Sequence, residues 1–315
     1  MSTGLLAFIT IEATKIIVPI LIFVGTISNS LNIVILTRPS LIHHSCSLYF
    51  LSLAIVNLFY CAVILTINLI SDGYSINIHI YSIFSCKLLN YLLNLCPNLS
   101  VYFIVLASID RYCSSSMNVN IRRWSNVRIA RRLILCITSI LTIYMLSVFF
   151  AFDLDHNIFI TCMVHVEDLW KKLVVILNIF FYVILAPFCM IVFGFLTIQN
   201  VKRFEINRER ISRYRRTETQ LSRMLLIQTS SHVLFSLPFC IVFFIVILPI
   251  PFRTTSEYYY IFVLCKIPFY FTFAINFFLY ILSGSIYRKE LIMLFKKIFS
   301  FHPNNRVRPI NSTNL

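Results

Sequence analysis

Charge is what this sequence most lacks: 12% of its 315 residues are Asp, Glu, Lys or Arg, against roughly 25% in soluble domains. That shortage excludes an ordinary water-soluble globular enzyme. Glycine is also scarce, with five in the chain. No Gly/Ser linker, internal repeat or low-complexity tract divides the sequence, which leaves a single domain. Acids are the rarer charge, 12 Asp+Glu against 27 Lys+Arg, for a net charge of +15. A basic balance of this size raises nucleic acid as a partner. The basic residues flank apolar runs, however, and carry no zinc-finger or RNA-recognition pattern, so no nucleic acid is expected. The ten cysteines show no metal-ligand spacing, and neither metal nor cofactor is implied.

What is present is apolar, at 59% of residues. Runs of twenty or more residues without charge occupy 16–37, 39–71, 88–109, 133–152, 173–201, 224–252 and 267–287. A helix needs about 20 apolar residues to cross a bilayer, whereas the strands of a spanning barrel alternate over roughly 10. The sequence therefore predicts an all-α membrane protein, a bundle of seven transmembrane helices. The first run, 22 residues long, exceeds the roughly 7–15 apolar residues of a cleavable signal and reads as an uncleaved anchor. The expected organisation is a short extracellular N-terminus over 1–15, a seven-span domain over 16–300 and a cytoplasmic tail over 301–315.

Seven spans put the termini on opposite sides, and the placement of Lys and Arg chooses between the two orientations. With the N-terminus outside, segments 38–45, 111–132, 202–223 and 288–308 face inward and hold 21 Lys and Arg, leaving six outside. Seven acids then lie outside and five inside, so the inner side carries +16 and the outer side −1. Most of the basic residues set topology beside anionic lipid. The longest inner loops, 114–132 and 202–223, also offer a docking face for a cytoplasmic partner.

Asp110-Arg111-Tyr112 follows the third run. An Arg at that depth is costly unless it pairs or reaches the interface, which marks it as a switch residue. Glu218, at the foot of the sixth run and 20 residues before Pro238, is its candidate partner; such a pair would clamp two helix ends and release on a conformational change. At this point the sequence resembles the rhodopsin-like G protein-coupled receptors, whose hallmark here is Glu/Asp-Arg-Tyr. Further matches follow in order: Gly25, Asn29 and Arg38 in the first span, Cys86 before the third, and Cys162 in the loop before the fifth. Pro187, Pro238, and the Asn276 and Tyr280 of Asn-Pro-x-x-Tyr complete the set. Tyr287-Arg288-Lys289-Glu290-Leu291 looks like the start of the family's short amphipathic eighth helix.

The resemblance covers Gly25 to Phe299. It implies a plasma-membrane receptor, not an enzyme, that passes an extracellular signal to a heterotrimeric G protein, with arrestin as a further partner. It also implies a Cys86–Cys162 disulfide, helix kinks at Pro187 and Pro238, and an activation switch of Asp110, Arg111, Tyr112, Glu218, Asn276 and Tyr280. A polar core of Asn29, Asn57 and Ser100 would converge with Asn276.

The departures are informative. Asn57 stands where the family usually has Asp, Phe277 replaces Pro, Phe195 replaces Tyr in the fifth span, and Phe235-Ser236-Leu237-Pro238 replaces Cys-Trp-x-Pro. The fourth span has no Trp; Trp124 and Trp170 lie at membrane edges. A neutral Asn57 implies no sodium site, because a hard cation prefers anionic oxygen. The Asn-Phe-Phe-Leu-Tyr form and the Arg-Pro-Ser step after the first span look like divergent invertebrate peptide receptors of the FMRFamide-receptor kind.

Leu93 stands where amine receptors carry an Asp, 18 residues before Arg111, and Tyr270 where opsins carry the retinal Lys, six before Asn276. With amine and retinal set aside, a neuropeptide is the expected ligand. Lys266, one turn beyond Tyr270, either meets a ligand carboxylate or snorkels to the surface. Asp153, Asp155, Glu167 and Asp168 form either an acidic rim that steers a cationic peptide or an ordinary solvated loop. The alternative architecture, a seven-span transporter or channel, calls for inverted repeats and paired broken helices; prolines interrupt the first, third, fifth and sixth spans here without a matching repeat.

Overall fold

Inside a bilayer a backbone N–H or C=O without a partner costs several kcal/mol, so a long apolar run must bond its own backbone and coil into a helix. The computed structural model, which describes residues 3–155, 161–164, 169–206, 213–245 and 255–299, shows a helix in each run as far as the described residues reach. The first span is Thr3–Leu36, the second Ser45–Gly73, the third Ile83–Ser115, the fourth Val127–Ala151 and the fifth Leu169–Val201. The sixth is Arg213–Ile245. The seventh joins Ser256–Ala274 to Asn276–Ser283 across a 48° bend. A further helix, Ser285–Phe299, is the amphipathic eighth.

Unlike a soluble protein, the bundle is apolar on its outer surface as well as in its core. Phe23, Leu135, Ile143 and Leu282 stand exposed on the outer surface, while Asn29, Asn57, Ser100, Gln228 and Asn276 are buried. Lipid tails are as apolar as Leu, so helices associate through close packing and interhelical hydrogen bonds rather than a hydrophobic drive. Gly25 serves the first of these: a Cβ there would lie 2.5 Å from the Cys61 sulfur and 3.3 Å from Ala274 Cβ. Its lack of a side chain lets the first, second and seventh spans touch.

Two features depart from the expectation. The first helix begins at Thr3, well ahead of the charge-free run, because the polar groups of this stretch are met within the helix. Thr10 and Thr14 donate to Leu6 O and Thr10 O, both at 2.8 Å, and Lys15 pairs with Glu12 at 3.2 Å. Between the fourth and fifth spans, β1 (Phe152–Asp155) and β2 (Thr161–Val164) form an antiparallel hairpin with Leu154 opposite Cys162. Of the two expected kinks, Pro187 follows a π-helical turn, Phe180–Leu185, where Ala186 N–H reaches back five residues to Phe181 O. Pro238 sits within a continuous helix.

Candidate functional site

Asp110 and Arg111, near the end of the third span, are buried, with Arg111 1% exposed. Charges removed from water must be paired. Arg111 Nη2 donates to Asp110 Oδ2 at 2.6 Å. The same carboxylate accepts from Ser45 Oγ at 2.9 Å and from Ser125 Oγ at 3.0 Å. Ser45 opens the second span and Ser125 lies just before the fourth, so one carboxylate ties three elements beside Arg111. The Tyr112 ring rests 5.7 Å from Phe193 of the fifth span. Glu218 lies on the sixth helix, but its side chain falls outside the described residues.

The seventh span completes this end. Tyr280 OH donates to Gln228 Oε1 of the sixth span at 2.9 Å, and its ring lies between Phe50 at 5.1 Å and Tyr287 at 5.7 Å. Tyr287 OH donates to Asn32 of the first span. Ser40 Oγ donates to Glu290 of the eighth helix at 2.6 Å.

The bend before Tyr280 forms at Ile275 without the family's proline. Phe278 N–H bonds Ile275 O at 3.0 Å instead of continuing the ladder to Ala274. The carbonyls thus released are met by the first span, with Asn29 Nδ2 donating to Phe273 O at 2.9 Å and Ser28 Oγ to Ala274 O at 3.0 Å. This use of Asn29 explains why the expected polar core divides. Ser100 Oγ donates to Asn57 Oδ1 at 2.6 Å, joining the second and third spans. Asn29 joins the first to the seventh, and Asn276 Nδ2 donates to Thr272 O across the bend of its own span at 3.3 Å.

At the opposite end Cys86 and Cys162 form the disulfide, with Cα atoms 5.7 Å apart. Ser82 begins the third span with a capping box, its hydroxyl accepting from Ser85 N–H, the arrangement that satisfies otherwise orphaned first-turn donors. Lys266 Nζ pairs with Asp72 Oδ2 of the second span at 2.9 Å, with side chains 19% and 9% exposed. Tyr259 OH reaches the other oxygen of Asp72 at 3.4 Å. Lys266 is therefore engaged inside the protein, a partner that neither sequence reading foresaw. His79, in the loop facing this pair, has its pKa lowered by burial and by the Lys266 charge, against an opposing pull from Asp72.

Leu93 is partly buried against the core and Tyr270 is fully inside. Glu167 and Asp168 lie outside the described residues, as does the side chain of Asp155. An amide network not anticipated from sequence joins the third and fifth spans: Asn178 Nδ2 donates to Asn94 Oδ1 at 2.8 Å, and Asn98 Nδ2 to Asn178 Oδ1 at 3.3 Å. The four-residue spacing of Asn90, Asn94 and Asn98, one face of a helix, was the available signal. In the absence of the family's Trp, Phe239 stacks on Phe269 at 4.6 Å, linking the sixth and seventh spans beyond the buried Ser236.

The family described as "7 transmembrane receptor (rhodopsin family)" matches residues 28–280, well over half of the chain. No curated protein matches.

Proposed function

The chain belongs to the rhodopsin family of seven-transmembrane receptors, and we propose that it carries an extracellular neuropeptide signal to a heterotrimeric G protein. The observation that supports this reading is Arg111, held 1% exposed where the second, third and fourth spans meet, at the end that gathers 21 of the 27 basic residues. The positive-inside rule puts that end in the cytoplasm, with the disulfide, Leu93, Lys266 and Tyr270 toward the ligand side.

Activation is a population shift. The ligand favours an arrangement in which the sixth span leaves Arg111 and opens a cleft for the G protein, and its leverage is its differential affinity for the two arrangements. Glu218 acts as the clamp partner of Arg111 in the resting arrangement. An acidic outer loop and the absence of an amine-pairing Asp at Leu93 favour a cationic peptide.

The test is a neuropeptide library screened by G protein recruitment. At least one peptide is expected to recruit, and Arg111→Ala is expected to abolish recruitment while surface expression persists. A surface-expressed Arg111→Ala receptor that still recruits would contradict the reading.

A further inference from the structure

We infer that Gln228 is the latch that sets how readily the sixth span parts from the seventh, a regulatory role that rests on the signalling reading above. A carboxamide at membrane depth is costly unless it faces the bundle interior and finds a partner. Gln228 does both. Gln228, His232, Ser236 and Cys240 recur every four residues and all are buried, so this stripe is the interior face of the sixth span. The Gln228 carbonyl accepts the Tyr280 hydroxyl at 2.9 Å, and both side chains are 1% exposed.

The surroundings identify the closed arrangement. Met224 and Leu225, one turn below, are buried. A Cβ on Gly284 would lie 2.8 Å from the Met224 sulfur, so the foot of the sixth span packs onto the turn joining the seventh span to the eighth helix. Phe195, which stands where the family usually has Tyr, is 58% exposed and brings no hydroxyl from the fifth span. A cleft that uncovers Arg111 draws the sixth span off this seat, and the Tyr280–Gln228 bond must then break.

The latch is weak by construction. Among the described residues Gln228 Nε2 has no hydrogen-bond partner, and a buried donor left unmet destabilises the state that contains it. In an open, water-filled cleft both ends of the carboxamide would be solvated. The closed state thus gains one bond and carries one orphan.

This gives a signature that a merely structural contact does not share. Tyr280→Phe removes the bond and strands the carboxamide. Gln228→Met, close in volume, removes the bond and strands the hydroxyl. The double variant strands neither, and replacing both partners of a buried hydrogen bond is close to neutral.

The experiment uses the full-length receptor in lipid nanodiscs without ligand. It measures recruitment across a panel of heterotrimeric G proteins, together with the distance between spin labels attached through non-natural side chains at 128 and 223, both exposed positions. Each single variant is expected to raise basal recruitment roughly threefold, and at most about twentyfold, from the measured range of interhelical hydrogen bonds in membrane proteins. Each is also expected to lengthen the label distance, and the double variant to fall back toward the parent on both readouts. Singles that leave the distance unchanged or shorten it, or a double that adds the two increases, would overturn the latch. If no variant recruits any G protein while the distances still follow this order, the latch stands and the signalling reading fails.

Discussion

The two ends of the bundle are held by bonds of different kinds. At the disulfide end, Cys86–Cys162 is covalent, and the Asp72–Lys266 ion pair ties the second span to the seventh across 194 residues of chain. At the Arg111 end, the ties between elements include single hydrogen bonds: Ser45 and Ser125 to Asp110, Tyr280 to Gln228, Tyr287 to Asn32 and Ser40 to Glu290. Bonds of that sort are worth about 0.6 kcal/mol each on average between membrane helices, so several can exchange within the few kcal/mol available to a ligand. On the signalling reading proposed above, one end stays and the other moves.

The largest effect expected from breaking this contrast is at the disulfide. It closes a loop of 76 residues, and Cys162→Ser is expected to lower stability by about 2–5 kcal/mol. A thermal unfolding scan of the purified receptor would read this as a clear fall in midpoint, and an unchanged midpoint would show that the hairpin holds the end without covalent help. Lys266→Ala comes next. It leaves the Asp72 carboxylate, 9% exposed, without its counter-charge. We expect a loss of about 1–3 kcal/mol, less than for a fully buried pair because Lys266 keeps some contact with solvent. Asp72→Asn combined with Lys266→Met should recover most of it in the same scan. Neither change should raise basal recruitment, whereas the Gln228 and Tyr280 variants should raise it with little change in midpoint.

The architecture was legible in the sequence because a bilayer leaves a chain few choices. Seven charge-free runs became seven spans, though the third continues past Asp110-Arg111-Tyr112 to Ser115. The hairpin was not legible, since strands of four residues carry too little alternation to register beside helical runs of twenty or more. Single-residue identity also misled where tertiary contacts decide the outcome. Lys266 suggested a ligand contact or a snorkel, and only the bundle brings Asp72 within reach of it. Phe277 stands in place of the family's proline, yet Ser28 and Asn29 meet the carbonyls released at Ile275 and the bend is present. Gln228 carried no motif at all. Its meaning comes from Tyr280, 52 residues away.

The most direct test of a mobile Arg111 end is to fasten it. The Met224 sulfur would lie 2.8 Å from a Cβ on Gly284, so the thiols of Met224→Cys and Gly284→Cys can be joined by a short bifunctional thiol reagent, linking the sixth span to the turn after the seventh. In the Tyr280→Phe background, where basal recruitment is raised, closing that link is predicted to bring G protein recruitment down to the level of Arg111→Ala, relative to the same double-cysteine receptor left unlinked. A cross-linked receptor that recruits as well as its uncross-linked counterpart would contradict the claim that signalling requires the sixth span to leave the seventh.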